Sequence, residues 1–68
     1  MISPSARIRI KASVGNFKLA KELAFDLLHG RVRFGAEPGA LYCERLAGVT
    51  MVAHRLRCGG VEVRELGA

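Results

Sequence analysis

Seven cations recur at alternate positions along the chain: Arg7, Arg9 and Lys11, then Arg31 and Arg33, then Arg55 and Arg57. Side chains of a strand point to opposite faces with period two, so such runs set side by side in one sheet would gather their charges on one face. Crowded cations repel one another unless an anion neutralises them. Arginine suits that contact, because its planar fork meets carboxylate or phosphate with two hydrogen bonds. The chemistry on offer is binding of an acidic protein or nucleoprotein surface, or of a nucleic-acid backbone. The competing reading is a solvated sheet face whose charges pair across strands, with Glu44, Glu62 and Arg64 as partners.

A second candidate surface lies on the segment between the first two runs. Phe25 follows Lys21 by four residues and Lys18 by seven, and precedes His29 by four. On a helix these side chains neighbour one another, which sets an aromatic among charges, a common form of interface anchor. Lys18, Lys21 and Phe25 are therefore the candidate helix interface.

Catalytic and metal chemistry find less to work with. His29 and His54 are the side chains that titrate near neutrality, and an endoribonuclease could use His54 as its base beside Arg55 and Arg57. The two cysteines, Cys43 and Cys58, form no C-x-x-C pair, and the histidines lack helical pairing, so neither a metal nor another cofactor is expected. In a cytoplasmic chain two such thiols read as small buried hydrophobes, and no disulfide between them is expected. The stretch Lys11, Ser13, Gly15, Asn16, Lys18 carries a strand into a helix start, where free N–H groups hold anions. It has no phosphate-loop fingerprint, and ordinary capping explains it.

These side chains need elements to hold them. After a lead-in at residues 1–5, residues 6–14 read as a strand, broken by Gly15-Asn16 with Asn16 as N-cap of a helix. Ala20, Leu23, Ala24 and Leu27 recur at helical spacing as the centre of its apolar stripe, with Phe17, Leu19 and Leu28 beside it. Gly30 ends the helix as a C′ residue. Residues 31–35 read as a second strand, joined to the first as a parallel neighbour across the helix, and Gly35-Ala36-Glu37-Pro38-Gly39 follow as a turn. Residues 40–46 and 49–57 read as a hairpin about Ala47-Gly48, placing Cys43 opposite Val52, and residues 61–66 as a last strand. The faces of the 49–57 strand stay open. Thr50, Val52, His54 and Leu56 turned inward would leave Arg55 and Arg57 outward, and a bulge would switch faces midway. The result is one α+β domain over residues 1–68: a two-layer fold, one helix on a mostly antiparallel four- to five-stranded sheet, order β-α-β-β-β.

Size and charge bound the function. A 68-residue chain, half of it apolar, forms a core but buries only roughly 60% of its unfolded surface. Association with a second copy would add to that, so a homodimer is one expected state. There is little room for an enclosed active site. The net charge of +5 and pI near 10.0 favour acidic partners, while no apolar run suits a membrane span and the start has no secretory h-region. Arginine outnumbers lysine, a composition of GC-rich bacterial or phage genomes. The expectation is a cytoplasmic, non-enzymatic interaction protein of inhibitor or modulator type, docking its basic surface on an acidic protein or nucleoprotein partner. The alternatives are a direct nucleic-acid binder gripping the backbone and a small endoribonuclease using His54.

Overall fold

The computed structural model describes residues 8–67. Arg7 and the lead-in expected at residues 1–5 lie outside them. Strand β1 (Ile8–Lys11) runs into a 3-10 turn (Val14–Asn16) and helix α1 (Phe17–Leu28), followed by strands β2 (Leu41–Leu46), β3 (Val49–Arg55) and β4 (Val61–Glu65). The helix packs on one face of a four-stranded sheet of order β1-β4-β3-β2. This is the α+β arrangement expected, with mixed pairing. β3 is antiparallel to both β2 and β4, and β1 lies parallel to β4.

The apolar stripe of α1 is the one the helical spacing implies: Ala20, Leu23, Ala24 and Leu27 are all buried. They meet Met51 and Ala53 of β3 and Val61 and Val63 of β4, with Ile8 and Ile10 of β1 packed at the margin. The helix ends in a Schellman motif. Gly30, at φ 73°, donates its N–H to Leu27 and Arg31 donates its own to Asp26. The apolar contact that often closes this motif is replaced by an ion pair, Arg31 Nη1 to Asp26 Oδ1 at 3.4 Å. Asp26, unfavourable at a helix C-terminus by the macrodipole alone, is thereby compensated.

The β2–β3 hairpin turns on Ala47-Gly48, with Leu46 opposite Val49. Both turn residues have positive φ, 50° and 81°, the signature of a type I′ turn whose twist matches that of the flanking strands. Cys43 stands opposite Val52 as expected.

Three expectations are corrected. Residues 31–35 alternate in burial as the pattern implied, with Val32 and Phe34 against the core and Arg31 and Arg33 exposed, yet they form no strand. The parallel neighbour of β1 is β4, and the 31–35 segment instead lies over the hairpin side of the sheet that α1, packed chiefly on β4 and β1, leaves open. Phe34 meets Tyr42 edge-on there, at 6.3 Å between centroids. Periodicity reports one-sided burial, and a non-strand segment lying on a core satisfies it equally. Lastly, Cys43 and Cys58 are free and exposed rather than buried, Cys43 on the sheet face without the helix and Cys58 in the turn after β3.

Candidate interaction face

Pairing fixes the two sheet faces, because directly opposed residues share a side. Beneath the helix lie Ile8, Ile10, Val61, Val63, Met51, Ala53, Arg55, Tyr42 and Glu44. The open face carries Arg9 and Lys11 of β1, Glu62 and Arg64 of β4, Thr50, Val52 and His54 of β3, and Leu41, Cys43 and Arg45 of β2. Among the described residues of these strands, that face sets four cations against the single carboxylate of Glu62.

The expected seven-cation cluster does not assemble. Arg9 and Lys11 stand on the open face. Arg31 is paired to Asp26 at the helix end, Arg33 is exposed in the following segment, and Arg57 is exposed in the turn after β3. Arg55 faces the helix side. Its guanidinium lies 4.3 Å from the centre of the Phe34 ring, Nε donates to the Gly35 carbonyl at 3.1 Å and Nη1 to the Gly59 carbonyl at 3.3 Å. It clamps the 31–35 segment to the sheet. The face of β3 follows from its pairing, which buries Met51 and Ala53 and leaves Thr50 and Val52 half-buried. Met51 and Ala53 fit beneath the helix, whereas β-branched Thr50 and Val52 suit the open pleat.

Sequence reasoning passed over two contributors, Arg45 and Arg64, because neither belongs to an Arg-x-Arg run; Arg64 was read only as an ion-pair partner. Arg64 lies directly opposite Lys11, and like charges so placed destabilise a sheet. Lys11 reaches Glu62 at 3.9 Å, its side chain 69% exposed against 17% for the glutamate. That is a solvent-screened contact at the limit of an ion pair. A depression of about 590 Å³ lies beside the cation pair, lined by Lys11, Ala12, Arg64 and Leu66 among others.

Towards β2 the face turns apolar. Leu41 is 71% exposed and stands opposite His54, which stands opposite Glu62. Leu41, Val52, His54, Glu62 and Arg64 enclose a second depression of about 300 Å³. His54 therefore has a carboxylate and Arg64 nearby, but not Arg55, whose side chain is on the other face. Tyr42 lies on the helix side too. Its hydroxyl donates to Glu44 at 2.6 Å, and this hydrogen bond, with smaller contributions from burial and from the negative charge of Glu44, raises its pKa above 10.0.

The strand-to-helix corner holds an anion of the protein's own. Glu65 accepts from Ser13 N–H at 3.1 Å and from Ser13 Oγ at 3.2 Å. These bonds, the backbone one foremost and aided by the Asn16 side chain, lower its pKa below 4.5. Asn16 makes no side-chain cap to the helix. The carboxylate thus occupies the place where the sequence offered a phosphate. On the helix, Lys18 and Lys21 are exposed, and Phe25, 39% exposed, stacks on His29 at 5.9 Å.

No group of three or more potential metal ligands gathers among the described residues, and no described helix is long and apolar enough to cross a membrane. Comparison of the chain with protein-family models, curated proteins and solved structures finds no match.

Proposed function

We propose that this chain is a small non-enzymatic docking module that seats its open sheet face on an acidic protein surface and so blocks or modulates its partner. One observation carries the reading. The face without the helix has an apolar patch, Val52 near its middle with Leu41 and Cys43 on the edge strand. Around it stand Arg9, Lys11 and Arg64 towards β1 and Arg45 towards the hairpin turn, with Glu62 and His54 between. Apolar centres with charged rims are how protein interfaces are built: the centre supplies desolvation energy and the rim supplies steering and register. A nucleic-acid backbone has no use for that apolar patch, and among the described residues the face offers no Phe, Tyr or Trp to stack on a base.

The opposed cations Lys11 and Arg64 favour a second reading, in which phosphates settle between them and the protein grips a nucleic-acid backbone. Both readings use the same two side chains, so one experiment separates them. Binding is measured by fluorescence anisotropy for a Leu-containing polyglutamate peptide and for single-stranded and duplex DNA and RNA, each across a salt series. The docking reading expects peptide binding that Lys11→Glu and Val52→Asp each reduce. The backbone reading expects nucleic acid to bind more tightly, with no response to Val52→Asp. Its salt slope would fall by about one unit in Arg64→Ala. Binding of any probe that is indifferent to both Lys11 and Arg64 would refute the use of this face.

A further inference from the structure

The outer edge of β2 has no strand partner among the described residues, and the hairpin decides which of its groups are free. Leu46 and Val49 flank a two-residue turn and exchange hydrogen bonds. Glu44 and Tyr42 therefore also bond inward to β3, and the inward bond from Arg55 N–H to the Ala40 carbonyl, 2.8 Å, keeps the same phase. Leu41, Cys43 and Arg45 are left with N–H and C=O directed outward.

Edge strands are usually blunted by lysine, proline, a bulge or brevity. β1, at the opposite edge, is four residues long and carries Arg9 and Lys11. β2 has six residues in regular register, with neither lysine nor proline.

We propose that β2 is the interface for a second copy of this chain, paired antiparallel about a two-fold axis through Cys43. Cys43 then faces Cys43 of the partner subunit, and Leu41 faces Arg45 of the partner subunit in both directions. These three residue pairs exchange about six backbone hydrogen bonds. Between them, Tyr42 stands opposite Glu44 of the partner subunit, so the single phenolic O–H can go to either carboxylate, its own chain's or the partner's. No like charges oppose each other. Sliding the pair by two residues towards the turn sets Glu44 against its own copy. Sliding it the other way carries Arg45 and Leu46 past the end of the partner strand. A slip of one residue puts the two open faces on opposite sides of the sheet. Charge and register therefore select one arrangement, a continuous sheet of two four-stranded halves. Its open face carries Lys11, Arg64, Val52 and Cys43 in one row and the same row reversed beyond the axis. The seam's backbone hydrogen bonds run in the plane of the sheet, so the pairing does not depend on which ligand the open face takes, although Leu41 and Cys43 belong to both.

The test is sedimentation equilibrium of the full chain together with crosslinking by a short bis-maleimide. A dimer is expected whose crosslink persists in Cys58→Ser and vanishes in Cys43→Ser. Cys43→Pro removes only an outward N–H and should yield a folded monomer by circular dichroism. Charge gives an independent check should that variant not fold. Leu41→Glu, facing arginine twice per dimer, should tighten the dimer roughly three- to tenfold, and Leu41→Arg should loosen it by a similar factor. A monomer at the highest soluble concentration would overturn the proposal. So would a dimer that persists in folded Cys43→Pro, or one with equal affinity in the two Leu41 variants.

Discussion

Replacing Arg55 by alanine separates a structural cation from a binding one. The guanidinium lies over the Phe34 ring at 4.3 Å, and a partly shielded contact of this kind stabilises by about 1 kcal/mol. Its hydrogen bond to Gly35 is part-buried and 3.1 Å long. The charged donor there contributes about another 1 kcal/mol. The bond to Gly59, 3.3 Å and exposed, adds a few tenths at most. Arg55→Ala should therefore cost about 2 kcal/mol. For a domain of this size that lowers Tm by about 8–16 °C. Urea denaturation followed by far-UV circular dichroism reads the loss as a lower midpoint at nearly constant slope. Arg33→Ala and Arg57→Ala, both exposed, should stay within about 0.5 kcal/mol of the parent. Arg55→Lys keeps the charge but loses the planar fork, and should recover no more than about half of the deficit. A double-mutant cycle with Phe34→Leu should return a coupling of about 0.5–1 kcal/mol. An Arg55→Ala protein as stable as the Arg57→Ala one would refute the clamp and return Arg55 to the surface charges.

Three further outcomes follow from single positions. Ala47 sits at φ 50°, where an L-residue with a Cβ is disfavoured by about 1–2 kcal/mol. Ala47→Asn, suited to a type I′ turn, should stabilise by about 1 kcal/mol in thermal or urea unfolding, whereas Ala47→Val should destabilise. Glu65 has a depressed pKa in the folded chain, so its contribution is complete above 4.5 and is lost as pH falls through the lower folded value. Urea midpoints should drop across that acid window, and Glu65→Gln should flatten the drop. A Cβ on Gly35 would come 2.9 Å from Ala40 Cβ, so Gly35→Ala should cost about 1–3 kcal/mol by the same assay, loosening the segment Arg55 holds.

The helix was legible because its signals agree. A four-residue apolar stripe, a glycine beyond the last turn and a length of three turns admit one reading. The hairpin was legible for the same reason, with a two-residue turn between runs of the right length. Local signals cannot show pairing across the chain. Arg31–Gly35 alternate as a strand would, but whether they pair depends on which neighbour β4 accepts. β4 takes β1, some fifty residues away in sequence, and no spacing announces that choice. The same gap hid the true open face. Arg55 sits in an Arg-x-Arg run, so its pattern resembled that of Arg9. Its fate was decided by the burial of Met51 and Ala53, two residues that β-propensity alone ranks below their neighbours Thr50 and Val52. Arg64, outside any run, reached the binding face only through its register with Lys11.

The parallel pairing of β1 with β4 also determines how the molecule meets a mechanical load. Ile8 lies beside Val61 and Lys11 beside Arg64, so the chain enters this two-strand ladder at one end and leaves it at the other. Tension applied through the flanking residues pulls the strands along each other. All of their hydrogen bonds then resist together, instead of opening one at a time as they would in a hairpin peeled from its mouth. The β2–β3 hairpin lies outside the line of force until that ladder slips. Anchored at one flank and drawn at the other, the domain should extend little under rising tension and then yield in a single event, its lifetime under load set by the rate at which β1 shears from β4.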